Sequence, residues 1–438
     1  MKVYVTMFDT QCYLQRRARL AASIGNGIAL IATAPETPRN RDSHFPYRFD
    51  SYFYHLTGFT EPEAVVVVIG GAAPQSILFC RDKDETREIW EGFRYGQAAA
   101  QARFDFDAAY SFAELDARLP ELMANRTRLA YAVGHDSAWD ARVIGWLGSV
   151  RAKSRQGIAA PTEIVDVRAL LDEMRLFKDA PELDLMRRSA AIAGDAHRRA
   201  MRATRPGRHE YEIEAELLHT FYAAGAQAPA YQSIVAGGAN ACVLHYVSNR
   251  DRLNDGDLLL IDAGCELDGY ASDITRTFPV NGRFSPAQKD AYEIVLAAQA
   301  AAIAMVKPGS TWIEPHDAAV RVLTQGMVDL KLLEGSVDGL IESNASHRFY
   351  MHRTGHWLGL DVHDAGEYKI DGAWRPLQPG MALTVEPGLY IRPADDVPEA
   401  LWNIGIRIED DVAVTESGCE VMTSPPKTVA EIEAWMQG

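Results

Sequence analysis

A chain of 438 residues is too long for one ordinary hydrophobic core, so two domains or three are expected. With 47% hydrophobic and 24% charged residues it has the balance of a soluble globular protein. A formal net charge of −16 argues against non-specific nucleic-acid binding and against an anionic membrane surface, while leaving room for divalent cations.

The cysteines (Cys12, Cys80, Cys242, Cys265 and Cys419) never form a Cys-x-x-Cys pair, which fits free thiols in a reducing compartment. The opening MKVYVTMFDTQCYLQRR has no apolar core of signal-peptide length, since Asp9 interrupts it. The longest apolar run, 294–306, is too short to span a bilayer. A cytoplasmic protein with no membrane or nucleic-acid partner is expected.

Helical periodicity over 10–24 stops at Gly25, and IALIA after it predicts a strand. Gly25-Asn26-Gly27 lacks the third glycine of a dinucleotide loop and precedes a strand instead of following one, so it is a helix-to-strand turn. The polar, aromatic segment 37–59 shows no clear period. Asp42, Arg48 and Tyr52 are candidates to line a cleft or an interface, with a surface loop anchored by its aromatics as the plainer reading. Strands over 63–70 and 76–81 and helices over 112–124 and 139–150 predict an α/β domain with partly parallel strands. No P-loop, Gly-x-Ser-x-Gly elbow or cysteine-nucleophile signature occurs in this half. A boundary falls within 159–184, where Asp179 and Pro181 have the form of a helix start. That helix should run to about Arg205, and another should cover 210–224.

Chemistry concentrates further on. A strand over 258–261 ends on Asp262, ELDG supplies a turn, and 270–278 reads as the returning arm of a β-hairpin. Antiparallel pairing brings Asp262 and Asp273 side by side. A lone aspartate there would be a turn residue or a partner of Arg276, but the pair leans towards metal, because a carboxylate after four aliphatics is costly to bury unpaired. The oddity recurs at Glu386, inside ALTVEPGLYI, and at Glu409, in NIGIRIEDDVAVT. In the latter, Ile404, Ile406 and Ile408 share one face while Arg407 and Glu409 share the other, so a solvated Glu409 is the alternative. Residues 350–364 hold His352, His356 and His363 without His-Glu-x-x-His spacing. Four carboxylates and one histidine suit a pair of manganese or cobalt ions better than a structural zinc, and such a pair activates a water and polarises the carbonyl it attacks. His245, just before the hairpin, is placed to donate to substrate; a hydrogen-bonded core histidine is the alternative.

DAGCELDGYASDITRTFPV, HRTGHWLGLDVHD, TVEPGLYI and GIRIEDD resemble the proline-specific metallopeptidases of the pita-bread fold, and among them the bacterial aminopeptidase P group. RNRDSHFPYR, LTGFTEPEAVVVV, EIWEGFRYGQ, EMRLFK and NACVLHY extend the resemblance over most of the chain. It implies an α/β (α+β) protein, with an N-terminal α/β domain over 1–174 and a pita-bread catalytic domain of two related halves over 175–438. It implies two divalent ions, manganese first and cobalt or zinc as alternatives, held by Asp262, Asp273, His356, Glu386 and Glu409. Asp273 and Glu409 would bridge, Asp262 would serve one ion, and His356 with Glu386 the other. His245, His352 and His363 match the substrate histidines, and Arg407 matches an arginine of the proline side. Gly355 stands where relatives often have serine. The implied activity is removal of the N-terminal residue from peptides with proline in second position, with Glu386 shuttling the proton and His245 or His363 holding the scissile carbonyl. A prolidase and a non-catalytic peptide-binding protein are the alternatives. The resemblance also implies a homo-oligomer, dimer or tetramer, in which N-terminal segments reach a neighbour's active site, with Asp42 and Trp90 as candidates.

Overall fold

The computed structural model describes residues 10–437, and the reading of the first nine residues lies outside them. The chain divides into two compact units, Met1–Arg175 and Leu176–Gly438.

In the first unit, helix Thr10–Ser23 leads through Gly25, whose φ of 57° suits glycine, into strand Gly27–Ala32. That strand pairs antiparallel with Val65–Ile69 and parallel with Arg128–Ala130, inside a mixed six-stranded sheet. Val65–Ile69 is buried throughout because its alternate side chains enter different cores. Val66 and Val68 join Ala29, Ile31 and Leu78, whereas Val65, Val67 and Ile69 join Ile28, Leu30 and Phe79. A continuous aliphatic run is the mark of such a two-sided strand.

The segment 37–59 is more regular than its sequence suggests. Pro38–Asn40 pairs with Ser43–His44 around an exposed Asp42, and Ser51–Thr57 is a helix whose N-cap, Asp50, accepts from the Phe53 amide. Two helical turns are too short to declare a period. Arg48 donates to Ser51 Oγ at 2.9 Å, and Tyr52 donates to Asp172 at 2.6 Å beneath the Arg175 guanidinium. Both side chains thus have partners within their own unit.

In the second unit, Asp179 and Glu182 form a reciprocal capping box at the start of helix Ala180–Ala203, with Pro181 in its first turn. This helix packs on Glu210–Ala223, beside an antiparallel sheet of Ile234–Gly237, Leu258–Asp262 and Thr275–Pro279. The pattern recurs with helices Pro286–Met305 and Glu314–Asp329 and the sheet Ala382–Val385, Asp410–Val414 and Cys419–Val421. One hydrophobic cluster runs through both halves, from Leu217 and Ile261 to Val385 and Val412. Two helix-backed halves on a shared core are the arrangement of a pita-bread domain.

Three expected strands are broken, each at a carboxylate. Asp262 pairs with Thr275, not Asp273, because Cys265–Leu267 and Tyr270–Ala271 leave the hairpin for a small sheet with Ala228–Pro229. Gly264 permits the departure, since a Cβ there would lie 1.7 Å from the Ser272 carbonyl. Ala382–Val385 stops before Glu386, and the chain resumes pairing at Gly388–Ile391 after Pro387, which has no amide to offer. Ile404–Arg407 likewise ends before Glu409, and Asp410–Val414 begins after it.

Candidate metal centre and substrate cavity

A cavity of about 550 Å³ in the second unit is lined by all five carboxylate and histidine candidates for metal, Asp262, Asp273, His356, Glu386 and Glu409. His245, His352, His363 and Arg407 line it too. The breaks in the strands explain the convergence: a residue at the end of a ladder is free to turn its side chain across the sheet. Backbone bonds then hold each break. The Glu386 amide donates to the Thr354 carbonyl at 2.8 Å, and the Glu409 amide to the Thr275 carbonyl at 3.0 Å. The Asp273 amide donates to the buried Asp411 carboxylate.

The histidine-rich stretch lies against strand Ala382–Val385. The Thr384 amide donates to the His356 carbonyl at 3.0 Å, and the His356 amide to Thr384 Oγ1 at 3.1 Å. The approach is so close that a Cβ at Gly355 would sit 2.1 Å from the Thr384 carbonyl, so glycine fits the contact as this chain makes it. At the far end a buried Lys178–Asp364 ion pair, 2.9 Å long, pins the segment that carries His363.

His356 Nδ1 donates to the Trp357 carbonyl at 2.9 Å, which turns Nε2 towards Asp273 (3.4 Å) and Glu386 (3.8 Å). Arg407 Nη2 meets Asp262 at 2.5 Å, and Thr275 Oγ1 donates to Glu409 at 2.6 Å. The Tyr231 hydroxyl faces Asp262 Oδ1 at 2.6 Å and Asp273 Oδ1 at 2.5 Å, with one proton to share between two carboxylates. Arg276, the alternative partner for Asp262, pairs with Asp410 instead. Glu409 is 1% exposed, which removes the solvated reading, and His245 is exposed, which removes the core-histidine reading.

Burial and mutual repulsion mark these acids. Burial pushes Glu386 up to about 7 against the pull of His356 and Arg407. Burial, then the Asp262 charge, raises Asp273; burial, then the Asp273 charge, raises Glu409 well above the carboxylate range. Burial alone would depress His356, yet its Asp273 bond and the Glu386 charge hold it up at about 9. The other histidines go the opposite way: burial and then Arg407 lower His352 to about 3, and burial and then His356 lower His363 to about 4.

Four carboxylates thus face the cationic side chains of Arg407 and His356 alone among the described residues lining the cavity, Arg353 apart. Asp273, His356 and Glu409 offer ligand atoms within 4.8 Å of one another, and Asp262 and Glu386 stand beside them. An oxygen-rich set with one imidazole, short of positive charge, fits divalent cations.

Metal-dependent stability should therefore vary with pH in a definite sense. Without metal, the raised pKa values of Asp273, Glu386, Glu409 and His356 mean that the folded state holds extra protons. Their contribution is fully present below the unfolded values and is lost as pH rises through the raised ones. Cations replace these protons, so the rise in unfolding temperature on adding Mn²⁺ to chelator-treated protein is expected to be larger at about pH 8 than at about pH 6. Thermal scans at both pH values check this, and an equal rise would count against proton displacement.

Sequence reasoning missed Tyr231, Thr275, Thr384, Tyr390 and Asp411. Only Tyr390 carried a usable signal, since it stands at even spacing from Glu386 across Gly388. Its hydroxyl lies 2.8 Å from His352 Nε2 and 3.0 Å from Arg407 Nη1.

Residues 184–416 match metallopeptidase family M24, and residues 13–131 match the aminopeptidase P N-terminal domain. Over 430 residues, 97% of each chain, the sequence is 46% identical to the Xaa-Pro aminopeptidase of Escherichia coli (strain K12). The solved structure of Pseudomonas aeruginosa aminopeptidase PepP is 52% identical, with a TM-score of 0.96 over 98% of both chains. Zinc-substituted E. coli aminopeptidase P in complex with product is 46% identical, with a TM-score of 0.95 over 98% of both chains. With the acids and histidines of its cavity inside the matched region, this chain belongs to metallopeptidase family M24.

Proposed function

We infer that the chain is a dinuclear-metal aminopeptidase that hydrolyses the Xaa-Pro bond and releases the N-terminal residue from peptides with proline in second position. The observation that carries this reading is the convergence of Asp262, Asp273, His356, Glu386 and Glu409 on one cavity in a chain close to Xaa-Pro aminopeptidases over nearly its whole length. Two divalent ions held by those five side chains would supply an activated water and stabilise charge on the scissile carbonyl. Manganese is the first choice, with cobalt and zinc as alternatives, on the hardness of a four-carboxylate set.

The chain's own groups do the rest. Glu386, a carboxylate facing the same cavity, takes the proton of the attacking water and passes it to the leaving imide nitrogen. His363, neutral at pH near 7, and His245 are the donors for the carbonyl oxygen. His352 is already oriented: Nδ1 donates to the Arg353 carbonyl and Nε2 accepts from Tyr390, so the ring shapes the proline pocket. Arg407 supports that side from behind, donating to Asp262, Tyr390 and Thr275.

A tripeptide Xaa-Pro-Yaa is expected to be cleaved with a higher kcat/KM than the dipeptide Xaa-Pro, and steady-state assays with manganese, cobalt and zinc in turn check it. Exclusive cleavage of the dipeptide would make the enzyme a prolidase. A cytoplasmic homo-oligomer, dimer or tetramer, with the first unit serving assembly and substrate access, completes the reading. The assembly part of that reading is supported by Trp90, 83% exposed, beside exposed Ile89 and Phe93, and by exposed Asp42.

A further inference from the structure

His245 has a position but no anchor of its own. Its ring is exposed at the cavity wall and makes no hydrogen bond among the described residues, so its place is set by residues 238–251 around it. Those residues are gathered on a single carboxylate. Glu210, in the first turn of helix Glu210–Ala223, is 0% exposed and lies outside the cavity lining. Its Oε1 accepts from the Gly237 amide at 2.8 Å and from Asn240 Nδ2 at 3.0 Å. Its Oε2 accepts from the Tyr246 hydroxyl at 2.7 Å and from the Asp251 amide at 2.9 Å. Its own amide donates to the Asp251 carbonyl at 3.0 Å.

These donors come from the start, the middle and the end of the loop, and Tyr246 directly follows His245. A carboxylate side chain can accept through both oxygens from four donors at once, as Glu210 does here. Elsewhere the loop has independent ties: Asn249 bridges the Val235 amide and the Ser233 carbonyl, and Arg392 donates to the Cys242 carbonyl at 2.7 Å. Weakening Glu210 should thus loosen the aim of His245 without unravelling the loop.

We propose that Glu210 is a positioning residue for His245, holding the substrate-facing loop in catalytic register through its four acceptor contacts. The proposal rests on the reading of the chain as a Xaa-Pro aminopeptidase in which His245 meets the scissile carbonyl. Glu210→Gln keeps the shape but replaces acceptor lone pairs with N–H groups facing donors. A misplacement of about 1 Å lowers turnover by about 10²-fold, and a loss of that order in kcat, with KM little changed, is expected. Tyr246→Phe removes one donor and should give a smaller loss in the same direction.

The test is a double-mutant cycle of Glu210→Gln and His245→Ala on a Xaa-Pro-Yaa peptide, with metal content and unfolding temperature measured on every variant. Tyr246→Phe is run alongside in case Glu210→Gln folds poorly. The expected result is that each loop variant costs much in the wild-type background and little beside His245→Ala, at unchanged metal content. Equal losses in both backgrounds, or no loss in either loop variant, would overturn the positioning role. Absence of Xaa-Pro cleavage by the metal-loaded wild-type protein would instead overturn the underlying reading, so the two failures are distinct.

Discussion

Replacing Glu386 with alanine is expected to lower turnover of a Xaa-Pro-Yaa peptide by about 10³-fold or more while leaving the protein folded. The first half of the expectation follows from the double duty of the side chain as metal ligand and as the group that carries the proton from water to the leaving nitrogen. No neighbour can take over. His352 is committed to the Arg353 carbonyl and to Tyr390, and Tyr231 lies between Asp262 and Asp273. The second half follows from the backbone. The Glu386 amide is bonded to Thr354 whatever its side chain, and the side chain itself makes only long contacts, 3.4 Å from Thr384, 3.7 Å from His352 and 3.8 Å from His356. Burial lifts its pKa to about 7, so truncation also relieves the cost of burying that acid. Steady-state kinetics with circular dichroism on the same sample check both halves, and full activity in the variant would end the assignment.

Asp410→Ala should have the largest effect on stability, a loss of about 3–5 kcal/mol, because it breaks a buried ion pair by removing one partner. Asp410 is fully buried and accepts from Arg276 at 2.6 Å, Lys427 at 2.6 Å, Thr423 at 2.6 Å and Gln299 at 3.0 Å. Burial would raise its pKa, but Arg276 and Lys427 hold it down, so the charged form is the favoured one. Arg276 cannot withdraw, since it also donates to the carbonyls of Thr275 and Glu409, the first of which receives the Glu409 amide. Its loss of a counter-charge is therefore felt at Glu409, and weaker metal retention should accompany the lower stability. Urea unfolding followed by metal analysis measures both. A loss below about 1 kcal/mol, the range of exposed pairs, would mean that the remaining donors compensate.

What could be read in advance followed a physical rule: residues that violate their local pattern announce themselves. Asp262, Glu386 and Glu409 stood out because acids do not end or interrupt aliphatic strands without cause. Strong local signals were legible too: Asp179 and Pro181 have the form of a helix start, and the run of valines over 65–68 reads as a strand. The strand interruptions were less legible, because a pairing stops through long-range geometry, such as the contact of Gly264 with Ser272. Side chains that obey their local pattern were silent. Thr275 and Thr384 are ordinary β-residues, and Glu210 is an ordinary acid in the first turn of a helix. Their roles exist only in three dimensions, in what lies opposite.

The placement of the acids at the ends of hydrogen-bonded ladders has a mutational consequence. A side chain at the end of a ladder carries little of the strand register, so the chemistry of the cavity can change with less disturbance to the scaffold than a substitution inside a strand would cause. Substitution of an acid at such a place is thus expected to alter the cavity more than the two helix-backed halves.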